Sequence, residues 1–281
     1  MGTVCDVCYR GCNIEEGKTG ACFARENKEG VIVPLTYGRI TSMAIDPIEK
    51  KPLARFFPGS RILSIGSYGC NLKCPFCQNV EISMADGRKA PGYENVSPGE
   101  ICEIAKNYIG KGNIGVAYTY NEPLVCYEFV RDTAELVKEA GMKNVLVTNG
   151  CVTQSVAEKV LPYIDALNID LKSFMSEYYR DVLKGDLKMV KAFIKSALAT
   201  SHVELTTLVI PGENDSEEHM RDIASWISSL EKEYDKKIPL HISRFFPMSR
   251  YSDRMPTPVS TIYRLADIAR EKLDYVYEGN V

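Results

Sequence analysis

No apolar run in this 281-residue chain approaches the roughly eighteen residues that a membrane-spanning helix needs. The opening Met1-Gly-Thr-Val-Cys-Asp6 lacks the apolar core of a signal peptide. A membrane protein is excluded on this reading, and the cytoplasm is the expected compartment. Basic charge is not in excess either, because the net charge is −3, so a nucleic-acid substrate is disfavoured. The one dense charge run, Glu231-Lys-Glu-Tyr-Asp-Lys-Lys237, mixes both signs and reads as a solvated helix end. At 45% hydrophobic and 25% charged residues, the chain has enough apolar surface for one large core and is too apolar for disorder.

Cysteine, by contrast, is abundant at ten. Cytosolic reductants keep thiols free, so this number argues for metal binding rather than disulfides. Seven of the ten fall into two clusters. The first is Cys5-x2-Cys8-x3-Cys12-x9-Cys22, in a segment too polar and glycine-rich to build its own core. Four thiolates there suit a structural zinc, slightly favoured, or a second iron–sulfur cluster, whose binding energy would replace the missing core. The second is Cys70-Asn-Leu-Lys-Cys74-Pro-Phe-Cys77, directly after the strand-like run 61–67. A [4Fe–4S] cube takes four thiolates, so three close together leave one iron for a ligand that is not protein. Completion of a zinc shell by a fourth residue is the competing reading.

From residue 61 onward, short β-rich runs alternate with amphipathic stretches, the pattern of βα units on a parallel sheet. Strands are expected at 61–67, 114–119, 143–148, 165–171, 203–209 and 238–244. Helices are expected near 97–110, 124–140, 153–161, 175–199, 216–231 and 259–272. Ser97-Pro98 with Glu100 marks one helix start. The fold class is therefore α/β, a partial (β/α)6 barrel over 61–281, preceded by a cysteine-rich metal-binding segment 1–30 and a linker with short strands over 31–60. Within that linker, Asp46-Pro-Ile-Glu-Lys-Lys-Pro-Leu53 reads more readily as a solvated turn than as a cavity lining.

Spacing and the aromatic Phe76 before the last cysteine resemble the signature of the radical S-adenosylmethionine (SAM) superfamily. That resemblance implies a [4Fe–4S] cluster on Cys70, Cys74 and Cys77, with SAM on the open iron. It also implies reductive cleavage of SAM to a 5′-deoxyadenosyl radical. Functional groups in parallel α/β folds collect at the C-terminal strand ends. There the chain carries Tyr-Asn121-Glu122-Pro, Thr148-Asn149-Gly and Asp170-Leu-Lys172, which are similar to motifs of glycyl-radical activating enzymes. The resemblance gives Asn121 and Glu122 the SAM ammonium, Lys172 its carboxylate and Asn149 the ribose side, with Asp170 and Thr148 helping to position SAM or a nearby cation. It makes His241 a further SAM contact, and Arg244 is a candidate for a substrate carboxylate. Cys102 and Cys126 read as core residues, and Cys151 reads as a packed helix start rather than a hydrogen-atom donor. No catalytic side chain is assigned.

Together with Pro58-Gly-Ser, Ser-Arg-Phe-Phe-Pro247 and Tyr275-Val-Tyr-Glu-Gly-Asn280, these motifs look like the radical SAM component of the AmmeMemoRadiSam group, related to pyruvate formate-lyase activating enzymes. The expected function is hydrogen-atom abstraction from a small molecule or partner protein, with an electron donor such as flavodoxin or ferredoxin. A glycyl-radical activase and a non-enzymatic metal-binding protein are the alternatives.

Overall fold

The computed structural model describes residues 2–85 and 92–281. At its centre is one eight-stranded sheet. Strands β1 (Ser42–Pro47), β2 (Arg61–Gly66), β3 (Asn113–Tyr118), β4 (Lys143–Thr148), β5 (Ala166–Asp170), β6 (His202–Val209), β7 (Leu240–Arg244) and β8 (Val276–Gly279) lie across it in chain order. β1 runs antiparallel to β2, and every later neighbour is parallel. Parallel neighbours need long crossovers. From β3 onward these carry α2 (Tyr127–Glu139), α3 (Gln154–Val160), α4 (Leu187–Thr200), α5 (Glu217–Tyr234) and α6 (Val259–Arg270), while α1 (Pro98–Asn107) precedes β3. The Ser97 hydroxyl accepts from the Glu100 N–H while the Glu100 carboxylate accepts from the Ser97 N–H, a capping box that fixes the start of α1.

All six expected strands are present, and two more join them. β1 carries Ser42, Asp46 and a closing proline, and β8 is four residues with Glu278 and Gly279 in it, so neither carries a strong strand pattern. The single helix expected at 175–199 is broken into a π-helical stretch, Tyr178–Leu183, and α4. Between them Lys184 takes a left-handed conformation (φ 54°) and Gly185 packs against the cysteine loop, where an added Cβ would stand 2.6 Å from the Leu72 side chain.

The sheet has two different faces. Its inner face carries Ile62, Ala117, Val145 and Ala166, which pack against Ile48 and Leu53 from the connection between β1 and β2. Asp46–Leu53 is therefore not a solvated turn: Ile48 and Leu53 are fully buried, and Asp46 and Lys51 are buried with them. The charges are accommodated by pairing, with Lys51 Nζ 2.8 Å from Asp46 Oδ2 and the Tyr120 hydroxyl donating to the same oxygen at 2.8 Å. Further along, the N–H groups of Ala54 and Arg55 donate to the Glu204 carboxylate at 2.9 and 2.8 Å. The segment thus plugs the inner face from below.

Candidate active site

After β2 the chain turns into the loop holding Cys70, Cys74 and Cys77. Leu72 and Phe76 are buried and anchor it, the Phe76 ring lying 6.1 Å from that of Tyr251. Distant segments fasten the loop backbone: Arg10 Nε donates to the Asn71 carbonyl at 2.8 Å, the Lys73 N–H to Leu183 at 2.8 Å, and Arg250 to Lys73 and, through its backbone N–H, to Pro75 at 2.7 and 2.9 Å. Burial pushes the Cys70 thiol well up and the Cys74 thiol up to about 11. A thiol so placed ionises only when a metal replaces its proton. The three thiols of this loop, Cys70, Cys74 and Cys77, fit a cluster that leaves an iron open. Among the described residues, no group of three or more His, Cys, Asp or Glu side chains converges as around a single metal ion.

The ends of β3 and β4 meet this loop through one carboxylate. Glu122 is 2% exposed, and its Oε1 accepts from the Thr148 hydroxyl at 2.7 Å and the Leu124 N–H at 3.0 Å, while Oε2 accepts from the Asn149 N–H at 2.8 Å. Burial raises this carboxyl to about 7 against the pull of those donors. Asn121 staples the loop start, accepting from the Ser67 N–H at 3.0 Å and donating to Gly69 at 3.1 Å. Both side chains thus join the strand ends to the cysteine loop. Asn149 donates to Asn71 Oδ1 at 2.9 Å, with Cys70 Sγ 3.7 Å from the same nitrogen, and Asn71 donates in turn to the Cys151 carbonyl at 2.7 Å. Asn71 is the bonding hub that sequence reading missed, although it lies inside the cysteine motif itself.

At the end of β5, Lys172 Nζ pairs with Asp170 Oδ2 at 2.8 Å, and its charge is felt by Cys74. Asn214, fully buried, donates to the Lys172 carbonyl at 2.9 Å and so fixes this strand end. The structure therefore gathers Cys70 with Asn149, Thr148 and Glu122, and Cys74 with Lys172 and Asp170.

Residues 64–224 match the sequence model of the radical SAM superfamily. The chain belongs to the radical SAM superfamily. It is 41% identical to an uncharacterized protein of Methanocaldococcus jannaschii over 279 residues, covering 99% of this chain and 81% of that one. It is also 25% identical to the pyruvate formate-lyase-activating enzyme of Clostridium pasteurianum, over 66% of this chain and 76% of that one. A domain of a pyruvate-formate lyase-activating enzyme from Bacteroides vulgatus shares the fold, with a TM-score of 0.50 at 19% identity over 59% of this chain and 99% of that one. Members of this superfamily are enzymes, and membership implies a [4Fe–4S] cluster and SAM, which the three-thiol loop fits. No helix among the described residues is long and apolar enough to cross a membrane.

His241 lies further along the sheet from the cysteine loop, on β7. It pairs in register with Thr206, which pairs with Asp170, so two strand spacings of about 4.8 Å each separate it from the Asp170–Lys172 pair. Its Nε2 lies 2.6 Å from Glu204 Oε2, a carboxylate shared with His202 at 2.8 Å. Burial works against the Glu204 charge, but the two imidazoles and the Ala54 and Arg55 N–H groups hold its carboxyl down to about 2. His241 is thus tied to the carboxylate that anchors the plug. Arg244 donates to the Thr257 carbonyl at 2.7 Å and lies over the Phe246 ring, meeting no acid among the described residues. Cys102, Cys126 and Cys151 are all buried, as expected of packed residues.

The N-terminal cysteines line one cavity: Cys5, Cys8, Cys12 and Cys22, with Arg10 and Arg25 beside them. The Cys5 N–H donates to the Cys12 carbonyl at 2.9 Å, and burial pushes Cys8 up to about 11. Their loop touches the second one directly, since the Cys70 N–H donates to the Cys22 carbonyl at 3.2 Å. Gly69 permits this approach, with φ at 91° and a would-be Cβ only 2.5 Å from that carbonyl oxygen.

Proposed function

We propose that this protein holds a [4Fe–4S] cluster on Cys70, Cys74 and Cys77 and uses it, with SAM on the open iron, to abstract a hydrogen atom from a substrate. Bound there, cluster and SAM supply a 5′-deoxyadenosyl radical by one-electron reductive cleavage. The observation that carries this reading is the three-thiol loop braced against Asn149 and facing Lys172. Lys172 binds the SAM carboxylate by exchanging it for Asp170, a charge-assisted contact at a partly buried position. Asn149 orients the ribose side from a side chain already locked by Asn71, and Glu122 with Thr148 holds the Asn149 peptide in place. His241 and Asn121 support this site from outside it.

Cys5, Cys8, Cys12 and Cys22 hold a further metal centre, zinc or a second iron–sulfur cluster, which braces the Cys70 loop through the Cys22 carbonyl. The reducing electron comes from a carrier such as flavodoxin or ferredoxin. The substrate is a small molecule or a partner protein. Activation of a glycyl-radical protein is the second reading, supported by the likeness to an activating enzyme.

The test is formation of 5′-deoxyadenosine by anaerobically reconstituted protein with SAM and dithionite. The wild type should form it and Cys74→Ala should not. Equal yields from both would refute the assignment.

A further inference from the structure

An open groove lies beside both cysteine loops, lined by Tyr9, Arg10, Arg180, Lys184, Asp186 and Lys188 among others. In a chain whose net charge is −3, this lining carries four cations and one carboxylate. That carboxylate is occupied: Asp186 Oδ1 caps α4, accepting from the N–H groups of Lys188 and Met189 at 2.8 and 3.3 Å. Arg180 shares its charge with exposed Asp181 at 2.7 Å, so Arg10, Lys184 and Lys188 carry most of the positive field.

The groove is wired to both metal loops. Tyr9 and Arg10 are themselves members of the first loop, between Cys8 and Cys12. Arg10 NH2 donates to the Lys184 carbonyl at 3.1 Å and its Nε to the Asn71 carbonyl at 2.8 Å, one residue from Cys70. Gly185 forms the inner wall, with no side chain to separate it from Leu72 of the second loop. The wall includes the π-helical stretch, and such interruptions of a helix recur at functional sites.

We propose that this groove is the docking face for an acidic one-electron carrier protein, the flavodoxin or ferredoxin class invoked above. This rests on the proposed SAM chemistry, which needs one electron from outside. The carrier is oxidised by one electron and the cluster on Cys70, Cys74 and Cys77 is reduced by one, with no bond made or broken at the groove. A basic face steers an acidic carrier and fixes its orientation, and the short path from Arg10 and Gly185 to the cysteine loops sets the electron's entry point.

The test measures binding of purified flavodoxin to reconstituted protein by calorimetry at about 20 and 200 mM salt. The wild type should bind, more weakly at the higher salt. Lys184→Glu/Lys188→Glu should bind about tenfold more weakly or worse. Lys111→Glu, altered just before β3 at the N-terminal end of the strands, should bind as the wild type does. Dithionite-driven formation of 5′-deoxyadenosine should be equal in all three proteins. Undiminished binding by the double variant, or no binding by the wild type at low salt, would overturn the docking face. Loss of dithionite-driven cleavage in the wild type would instead overturn the SAM reading.

Discussion

The Cys70 N–H donates to the Cys22 carbonyl at 3.2 Å, so the two cysteine loops of this protein are hydrogen-bonded to each other. A metal lost from one site should therefore be felt at the other.

Gly69→Ala tests that contact. Its left-handed φ and the 2.5 Å clearance to the Cys22 carbonyl leave no room for a methyl group. A loss of about 2 kcal/mol or more in stability is expected, together with lower iron loading. Thermal unfolding and iron analysis on the same sample check both; a variant that unfolds and loads like the wild type would contradict the contact.

Glu122→Ala should be costlier than a surface change. It leaves the Thr148 hydroxyl and the Leu124 and Asn149 N–H groups without their acceptor in a buried place, a loss of about 3 kcal/mol or more. Because the strand end also loosens, SAM should bind more weakly. Unfolding midpoints and SAM titration read the two effects separately.

Much of this site was legible in the sequence, and the reasons are physical. Cysteine spacing reports directly on ligand geometry, and alternating short apolar runs report on βα units, so the three-thiol loop and six parallel strands could be located from the residues. The plug could not. Asp46-Pro-Ile-Glu-Lys-Lys-Pro-Leu53 is charged enough to suggest solvent, and the pairing of Lys51 with Asp46, joined by the Tyr120 hydroxyl, makes its burial affordable. The pairing of His241 with Glu204 was hidden for a related reason: its strand was found, but its register against Thr206 and the presence of Glu204 beside it are tertiary facts.

Acid should weaken the plug. The Glu204 carboxyl is held down to about 2 against an ordinary value of 4.5, so its contribution is present above pH about 4.5 and is lost as pH falls towards 2. The full effect is on the order of 3 kcal/mol. Glu204→Gln should be less stable than the wild type at neutral pH and should show a shallower loss below pH about 4.5. Denaturant midpoints across that range check it, and parallel profiles for the two proteins would count against the plug's dependence on this charge.

Lys172→Met should weaken SAM binding about tenfold or more by removing the cation proposed to meet its carboxylate. Asp170→Asn frees Lys172 from its partner and should leave SAM bound as tightly as before, or more tightly. Equilibrium binding of SAM to the reconstituted variants distinguishes the two.

The most direct measurement is iron, sulfide and zinc content of anaerobically reconstituted protein, wild type against a variant with alanine at Cys70, Cys74 and Cys77. The account predicts that about four irons and their sulfides are lost in the variant, while the metal on Cys5, Cys8, Cys12 and Cys22 is retained as about one zinc or about four irons. Wild-type protein that takes up no iron, or a triple variant that loses none, would contradict it.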